Sequence, residues 1–590
     1  MAPYVEKHRL TNSINTLRNR GPDDMGIYIS PDGHMGLGHR RLSIIDVSKQ
    51  GHQPMSNEDG TVWITYNGEI YNFQEIKGTL ESLGHFFKSN SDTEVIIHAY
   101  EEWGHSCLEN LRGMFAFAIW NQKEKVLFLA RDRFGIKPLY YYWDNNSFFL
   151  FASELKAIQA YSGLRLTIDQ TALYDFFTYR YVPTPKTPYR EVKKLPPAHY
   201  LILKDNKIMV EQFWDIAIDD PKINSEDDAT EGLISILEES TRYHLVSDVP
   251  VGVLLSGGLD SSCITAFASR FSASPLMSFS VGFDVEEYSE ACYARIVAET
   301  FRTNHKEQII NSQIGEDILP LLDRIYDEPF ADSSAIPTLA IFRTAGEYVK
   351  TVLTGDGGDE VFGGYNWYSI FIVYEHLKWL PSPSKRILFN LLLPSIPKLR
   401  GGLVFPYFSL GPMECYASLL GGFTKKEKQI LANRYGLSIP EDYDDYWHFR
   451  DYWREDLDTV SRLQYLDMKT YLPDDILTKI DRASMAVSVE ARVPLLDHKL
   501  VEFVFSIHPN VRNKFKIKKY LFKRAMHGLV PKVILKRKKK GFSPPLGEWV
   551  KASNFLSGVV KGKDMEFFLS LRPSKKFALA IFERWINLEG

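Results

Sequence analysis

Cysteine is scarce in this chain of 590 residues: there are four, Cys107, Cys263, Cys292 and Cys415. They are far apart and form no CxxC or zinc-type spacing, which argues against a disulfide framework and a cysteine zinc centre. A reducing, cytoplasmic setting is the expectation. The histidines are scattered without HxxxH spacing, so no zinc site is expected from them either. Long apolar runs are also missing. None approaches the roughly 18 residues of a spanning helix, which argues against integral membrane association. The first ten residues, MAPYVEKHRL, contain no apolar stretch and do not read as a secretory signal. No sign of charge dominates: 70 Lys plus Arg face 74 Asp plus Glu, a net charge of −4. That balance leaves no global electrostatic case for nucleic acid. The basic run Lys536 to Lys540 has no interleaved aromatics, so it reads as a solvated face or a phosphate-side loop. No G-x-x-x-x-G-K-[ST] loop occurs.

What is present is ordinary globular composition, 44% hydrophobic and 24% charged, in a chain long enough for two or three domains. Residues 1–215 are rich in short β signals bounded by turns, such as Thr61 to Tyr66, Lys125 to Leu129 and Phe148 to Phe151. Short helical stretches, Thr93 to Trp103 among them, lie between. This is the pattern of an α+β domain with packed antiparallel sheets. Five prolines between Pro183 and Pro197 mark a connecting segment. The polar stretch Asp219 to Thr230, with almost nothing to bury, is the better boundary. Residues 228–590 read differently. A helix carrying Leu233, Ile236 and Leu237 on one face precedes the apolar run Val249 to Leu255, which reads as a strand buried on both faces of a parallel sheet. Val349 to Leu353 is a second such strand. Beyond Phe371 the pattern is largely helical, with Ile476, Ile480, Ala483 and Val487 on one stripe.

The first buried strand runs into Ser256-Gly257-Gly258-Leu259-Asp260-Ser261-Ser262. A glycine-rich turn entering a helix points backbone amides at one spot, where the helix dipole favours an anion. The serine hydroxyls add donors. Asp260 would repel a bare phosphate and makes sense as a ligand of a bridging divalent cation. Two glycines alone would equally suit a plain strand-to-helix turn; the whole heptad after a buried strand favours the phosphate loop. The second strand runs into Thr354-Gly355-Asp356-Gly357-Gly358-Asp359-Glu360. Ligands of open α/β sheets bind beyond the carboxyl ends of the strands, so the two loops are expected to face one another. Asp260 and Asp359 then form a candidate Mg²⁺ pair.

The chain resembles glutamine-hydrolysing asparagine synthetases. In the C-terminal half the resemblance rests on Ser256–Ser262, TGDGGDEVFGGY (354–365), LPDDILTKIDRASMAVSVEARVPLLD (472–497) and KKKGFSPPLGEW (538–549). In the N-terminal half it rests on RGPDD (20–24), GHRRLSIID (38–46), YNGEIYN (66–72), SDTEV (91–95), 113–120 and ARDRFGIKPLYY (130–141), which look like a class II glutamine amidotransferase domain. The resemblance implies an α/β/β/α sandwich followed by an ATP-pyrophosphatase domain. It implies ATP and Mg²⁺, aspartate charged as β-aspartyl-AMP with release of pyrophosphate, and ammonia then displacing AMP. Leu254, Val281 and Gly355 would hold the nucleotide beside the phosphate loop. Asp356 would serve adenylate formation, and Lys516, the first of Lys516, Lys519 and Lys523, would be the catalytic lysine. Arg41, Leu42 and Ser43 would hold the glutamine carboxylate, Asp92 its ammonium, Asn67 and Gly68 the oxyanion, and Glu69 would help retain the substrate. Asn67-Gly68 alone reads as a hairpin turn; the flanking residues tip it towards the site. Relatives are often dimers, so a homodimer is a further expectation.

The resemblance stops at the nucleophile. Relatives begin Met-Cys-Gly, and the cysteine with its own α-amine attacks glutamine. Here the chain begins Met1-Ala2-Pro3. The expectation for the chain as given is no glutaminase activity and use of ammonia. Two explanations stand: a start upstream carrying that cysteine, which the intact glutamine motifs Arg41, Asn67 and Asp92 favour, or a protein that lacks glutaminase activity. Two rival functions stand beside aspartate amidation. One is the same chemistry on another carboxylate, such as a uronic sugar of a surface polysaccharide or a β-lactam precursor. The other is a non-catalytic scaffold, against which stand Asp260, Asp356, Asp359 and Lys516.

Overall fold

The computed structural model describes residues 4–144, 148–218, 221–377, 410–514, 517–537, 541–552 and 565–589. The N-terminal region holds β1 (Asp24–Ile29), β2 (Gly36–Arg41), β3 (Met55–Ser56), β4 (Val62–Ile70), β5 (Gly113–Asn121), β6 (Val126–Arg131), β7 (Tyr140–Trp143), β8 (Phe149–Ala152), β9 (Val192–Lys194), β10 (His199–Lys204) and β11 (Lys207–Gln212). Six of them form an antiparallel sheet in the order β11-β10-β6-β5-β4-β3; β1-β2 and β8-β7-β9 form two smaller antiparallel sheets. Alternation along β5 explains the layering, because successive side chains point to opposite faces. Phe115, Phe117 and Ile119 pack under helices Phe73–Ser82 and Asp92–Trp103, with Leu80, Ile96 and Ile97. Ala116 and Ala118 face the other way, with Leu139 and with Tyr141, Phe149 and Phe151 of the small sheet. Helix Lys7–Asn15 covers β2. Helix, sheet, sheet and helix are therefore stacked as the resemblance implies.

Asn67 and Gly68 form no hairpin turn. They lie inside β4, in register with Ala116 and Phe115 of β5. Nine consecutive cross-strand pairs outweigh the local preference of an Asn-Gly dipeptide.

The second region is built on β12 (Val251–Leu254), β13 (Met277–Phe283), β14 (Asn304–Ile310), β15 (Thr351–Leu353) and β16 (Glu490–Arg492). All pair in parallel, in the order β14-β13-β12-β15-β16. The chain builds outward from β12 to one side and returns to fill the other. β12 and β15 thus flank the topological switch point, where open sheets bind ligands. Both apolar runs give shorter strands than their length suggests: only Val251–Leu254 and Thr351–Leu353 enter the ladder.

Two features of the boundary differ from the sequence reading. The polar stretch is in part a helix start: Ser225 accepts from the Asp228 amide and caps helix Glu226–His244, and Glu226, Asp227 and Asp228 suit the positive end of its dipole. Helix Gln170–Tyr179, from the N-terminal half, joins the core of the second region. The Phe177 ring packs tilted against Phe582 at 4.7 Å and edge-on against Phe423 at 5.6 Å. That helix is buried nearly all round, so its apolar residues need partners from both sides.

His244 ends the boundary helix and is buried, its Nδ1 2.8 Å from the Ser240 carbonyl. Burial pushes its pKa down from 6.5 to about 3, with Arg492 and Arg112 adding repulsion. A histidine lowered in the folded state stabilises the fold above its ordinary pKa, and that stability drains away as pH falls from 6.5 towards 3. The thermal midpoint is expected to drop between pH 7 and pH 5, and less steeply in His244→Asn. Parallel pH profiles of the two proteins would rule this out.

Candidate active site

β12 ends at Leu254, and the chain turns through Ser256, Gly257 and Gly258 into helix Leu259–Phe271. Gly257 has φ +68°, and a Cβ there would stand 2.6 Å from the Ala294 amide nitrogen. Only glycine meets both demands. The Ser256 and Ser261 hydroxyls meet at 3.1 Å. The Ser262 hydroxyl is buried without a hydrogen-bond partner. Val281 lies buried in the neighbouring β13.

The second loop packs directly on the first. A Cβ on Gly355 would stand 2.7 Å from the Ser261 amide nitrogen, and one on Gly358 2.8 Å from Asp260 Oδ1. The Thr354 amide donates to the Arg492 carbonyl of β16 at 2.8 Å, which fixes the loop to the sheet edge. The two acidic turns therefore converge.

Between them sits Lys519. Its Nζ is 2.6 Å from both Asp260 oxygens and 2.6 Å from Asp359 Oδ1. The carboxylates consequently lie within twice that distance of each other. Lys519 is buried and has φ +52°, an uncommon backbone for a side chain of its size. Burial opposes its charge, but the two carboxylates more than offset this and raise its pKa. One ammonium cannot balance two carboxylates, so net negative charge remains. An all-oxygen donor set of that charge fits a hard divalent cation.

Lys516 lies outside the described residues. Among the described residues, the lysine at the carboxylates is Lys519, three positions on in the same basic run. Arg537, from the run 536–540, donates to the Gly257 carbonyl and pairs with Glu290. The described part of that run thus reaches the phosphate loop, and residues 538–540 lie outside the described ones. Asp356 carries a carboxyl whose pKa burial raises, against the pull of Lys479. Lys479 is itself 2.7 Å from Asp332. Beyond Asp359 stand two more buried acids. Burial, then repulsion from Asp359, pushes Glu360 up to about 8. Burial pushes Asp467 up to about 7, although Tyr368, Tyr416 and Trp367 all donate to it. Neither acid was singled out from sequence.

A cavity of about 280 Å³ lies in the N-terminal sandwich, lined by residues of β2, β4, β5, β8 and helix Lys7–Asn15. Six of the seven predicted glutamine residues line it: Arg41, Leu42, Asn67, Gly68, Glu69 and Asp92. Ser43 does not; its amide is tied to Asp23 at 2.8 Å. Arg41 spends part of its guanidinium on its own loop, donating to the carbonyls of Ile45, Asp46 and Ser48. Asn67 Nδ2 is a buried donor with no partner, as an oxyanion donor awaiting its acceptor would be. Asp92 accepts from the Tyr66 hydroxyl at 2.8 Å and the Ile70 amide at 3.0 Å; burial nevertheless lifts its pKa to about 6. None of the four cysteines lines the cavity: Cys107, Cys263 and Cys415 are buried elsewhere and Cys292 is exposed.

Buried charge joins the two regions. Arg492 Nη2 is 2.7 Å from Glu69 of the cavity, and Arg20 holds Asp481 at 2.7 and 3.0 Å. The block 472–497 was marked by resemblance, but its arginines carry no local signal of a partner more than 400 residues away in the chain.

Among the described residues no helix is long and apolar enough to cross a membrane. An amidotransferase-type sandwich joined to a nucleotide loop at a parallel-sheet switch point defines an amide-forming ligase. The chain belongs to the asparagine synthase family: the family model described as asparagine synthase matches residues 232–563, and that described as glutamine amidotransferase domain matches residues 2–214. It is 36% identical to asparagine synthetase [glutamine-hydrolyzing] 1 of Bacillus subtilis, over 93% of this chain and 86% of that protein. It is 31% identical to asparagine synthetase [glutamine-hydrolyzing] 3 of the same organism, over 92% and 87%. Amidase chry2 of Gibberella zeae is 30% identical, over 92% and 85%.

Proposed function

We propose that the chain converts L-aspartate to L-asparagine, cleaving ATP to AMP and pyrophosphate. The observation that carries this reading is Lys519 held between Asp260 and Asp359 at the tips of β12 and β15. The amides and serine hydroxyls of residues 256–262 receive the pyrophosphate end of ATP. Asp260 and Asp359 would hold Mg²⁺, which when bound neutralises triphosphate charge. Lys519, displaced from the carboxylates, turns its ammonium to the α-phosphate. An oxygen of the aspartate side chain attacks the α-phosphorus, and pyrophosphate leaves with the electron pair of the broken P–O bond. Ammonia then adds to the acyl carbon, loses a proton, and expels AMP.

The test is ATP–pyrophosphate exchange across a panel of acids. Aspartate is expected to stimulate exchange, and Asp260→Asn to lower it at least ~100-fold without changing the thermal midpoint by more than a few degrees. Stimulation by a uronic acid and not by aspartate would move the acceptor. Absence of AMP with every acid would leave a scaffold.

A further inference from the structure

Away from the nucleotide loops and the N-terminal cavity, helix Asp92–Trp103 carries His98 and Glu101 one turn apart, and the loop before it brings in His85. Their ligand atoms all lie within 4.8 Å of one another. The two Nδ1 atoms of His85 and His98 are 3.3 Å apart. Two nitrogens each about 2.0–2.1 Å from one tetrahedral zinc stand about 3.3–3.4 Å apart, so the rings are already at ligand spacing. Glu101 Oε2 is 2.8 Å from His98 Nδ1, and an entering ion would part these two by about half an ångström.

The outer groups are arranged for the same purpose. His85 turns its other nitrogen to Glu102 at 3.2 Å. The Nε2 of His98, which is 1% exposed, has no hydrogen bond but faces Glu58 at 3.5 Å and Glu94 at 4.0 Å. Metal-bound imidazoles characteristically turn their second nitrogen to a carboxylate. The Asn57 amide donates to the remaining Glu101 oxygen at 2.6 Å and orients that carboxylate. Both far nitrogens thus face acids, and the two near nitrogens meet beside a third acid. If His98 Nδ1 donates to Glu101 it cannot also donate to His85.

We propose that His85, His98 and Glu101 form a site for Zn²⁺ or a similar borderline divalent ion, with water as fourth ligand. Mixed imidazole and carboxylate ligands select this class over Mg²⁺. The ion would clip the 83–91 loop to the helix that follows it. Glu94 already pins the same loop, accepting from the Lys88 and Ser89 amides at 2.9 and 2.7 Å. That helix begins with Asp92 at the N-terminal cavity, so the clip would brace its position. Sequence spacing gives no hint of this, because the histidines stand 13 residues apart on a loop and a helix.

The experiment is calorimetric titration of ZnCl₂ into the chelator-stripped full chain, with excess Mg²⁺ present to mask Asp260 and Asp359. One equivalent is expected to bind and to raise the thermal midpoint. His85→Gln, on the loop, and Glu101→Gln, which keeps the Asn57 contact, are each expected to weaken that equivalent at least ~100-fold. Co²⁺ in the unaltered protein should give the visible absorption of a four-coordinate ion, lost in both variants. No saturable binding near one equivalent, or equal binding in His85→Gln, would overturn the proposal and leave an ordinary proton-bridged His–Glu cluster.

Discussion

Lys519→Ala is expected to lower aspartate-dependent ATP–pyrophosphate exchange by about 10²–10³-fold or more, the usual cost of removing one charge that stabilises a transition state. The geometry also sets a second, opposite effect. Asp260 and Asp359 share one ammonium at 2.6 Å, and their side chains are only 21% and 19% exposed. Without Lys519 they repel each other in a half-buried pocket, and Mg²⁺ no longer competes with a lysine for them. The variant should therefore lose stability in metal-free buffer and recover more of it on adding Mg²⁺ than the parent does. Thermal melts with and without MgCl₂ measure this. Lys519→Arg should not restore exchange, because a planar fork cannot occupy the space of a compact ammionium-sized charge between two carboxylates and a glycine loop. Gly364 already approaches the Lys519 side chain closely enough that a Cβ there would stand 2.3 Å from Cε. Lys516→Ala separates the two lysines. Exchange lost in Lys516→Ala and kept in Lys519→Ala would return the role to Lys516.

Much of this site was legible because its signals are local. Each acidic turn follows its own buried strand, and parallel packing of those strands brings the turns together without further information. Which lysine of the run serves the site has no local signal: Lys514, Lys516, Lys518, Lys519 and Lys523 are chemically alike, and among the described ones it is Lys519 that meets the two carboxylates. Asn67-Gly68 shows the converse failure, a strong local turn signal overruled by pairing with β5. Glu360 and Asp467 are not legible because burial, which raises their pKa, leaves no mark on an acid in sequence. The division of the chain was read from composition, which says nothing about helix Gln170–Tyr179 entering the other region's core. Contacts between the halves, such as Arg20 with Asp481, depend on the final docking of surfaces and leave no periodic trace.

Arg492→Met is expected to be the most destabilising single change, about 3–5 kcal/mol by denaturant unfolding, as for other buried ion pairs stripped of one partner. Arg492 is fully buried on β16. It donates to Glu69 at 2.7 Å, to Glu490 at 2.9 Å, and to the carbonyls of His244 and Val246. Burial opposes its charge, and Glu69 and Glu490 more than offset that, so its pKa is raised. Methionine fills much of the volume but leaves the acids. Glu490 keeps Lys137 at 3.5 Å, whereas Glu69 has no other basic partner within ion-pair distance among the described residues. The stranded charge is therefore on Glu69, and it can be relieved only by protonation. An acid whose folded pKa lies above its unfolded value costs more stability as pH rises, so the deficit of Arg492→Met should widen from pH 6 to pH 8. Adding Glu69→Gln should recover part of the loss and flatten its pH dependence. A double variant no more stable than the single one would show that the cost lies in the two orphaned carbonyls. Because the Arg492 carbonyl also receives the Thr354 amide, the single variant should loosen the 354–360 loop as well. Ammonia-dependent AMP formation would then fall together with stability, although Arg492 touches neither nucleotide nor acceptor.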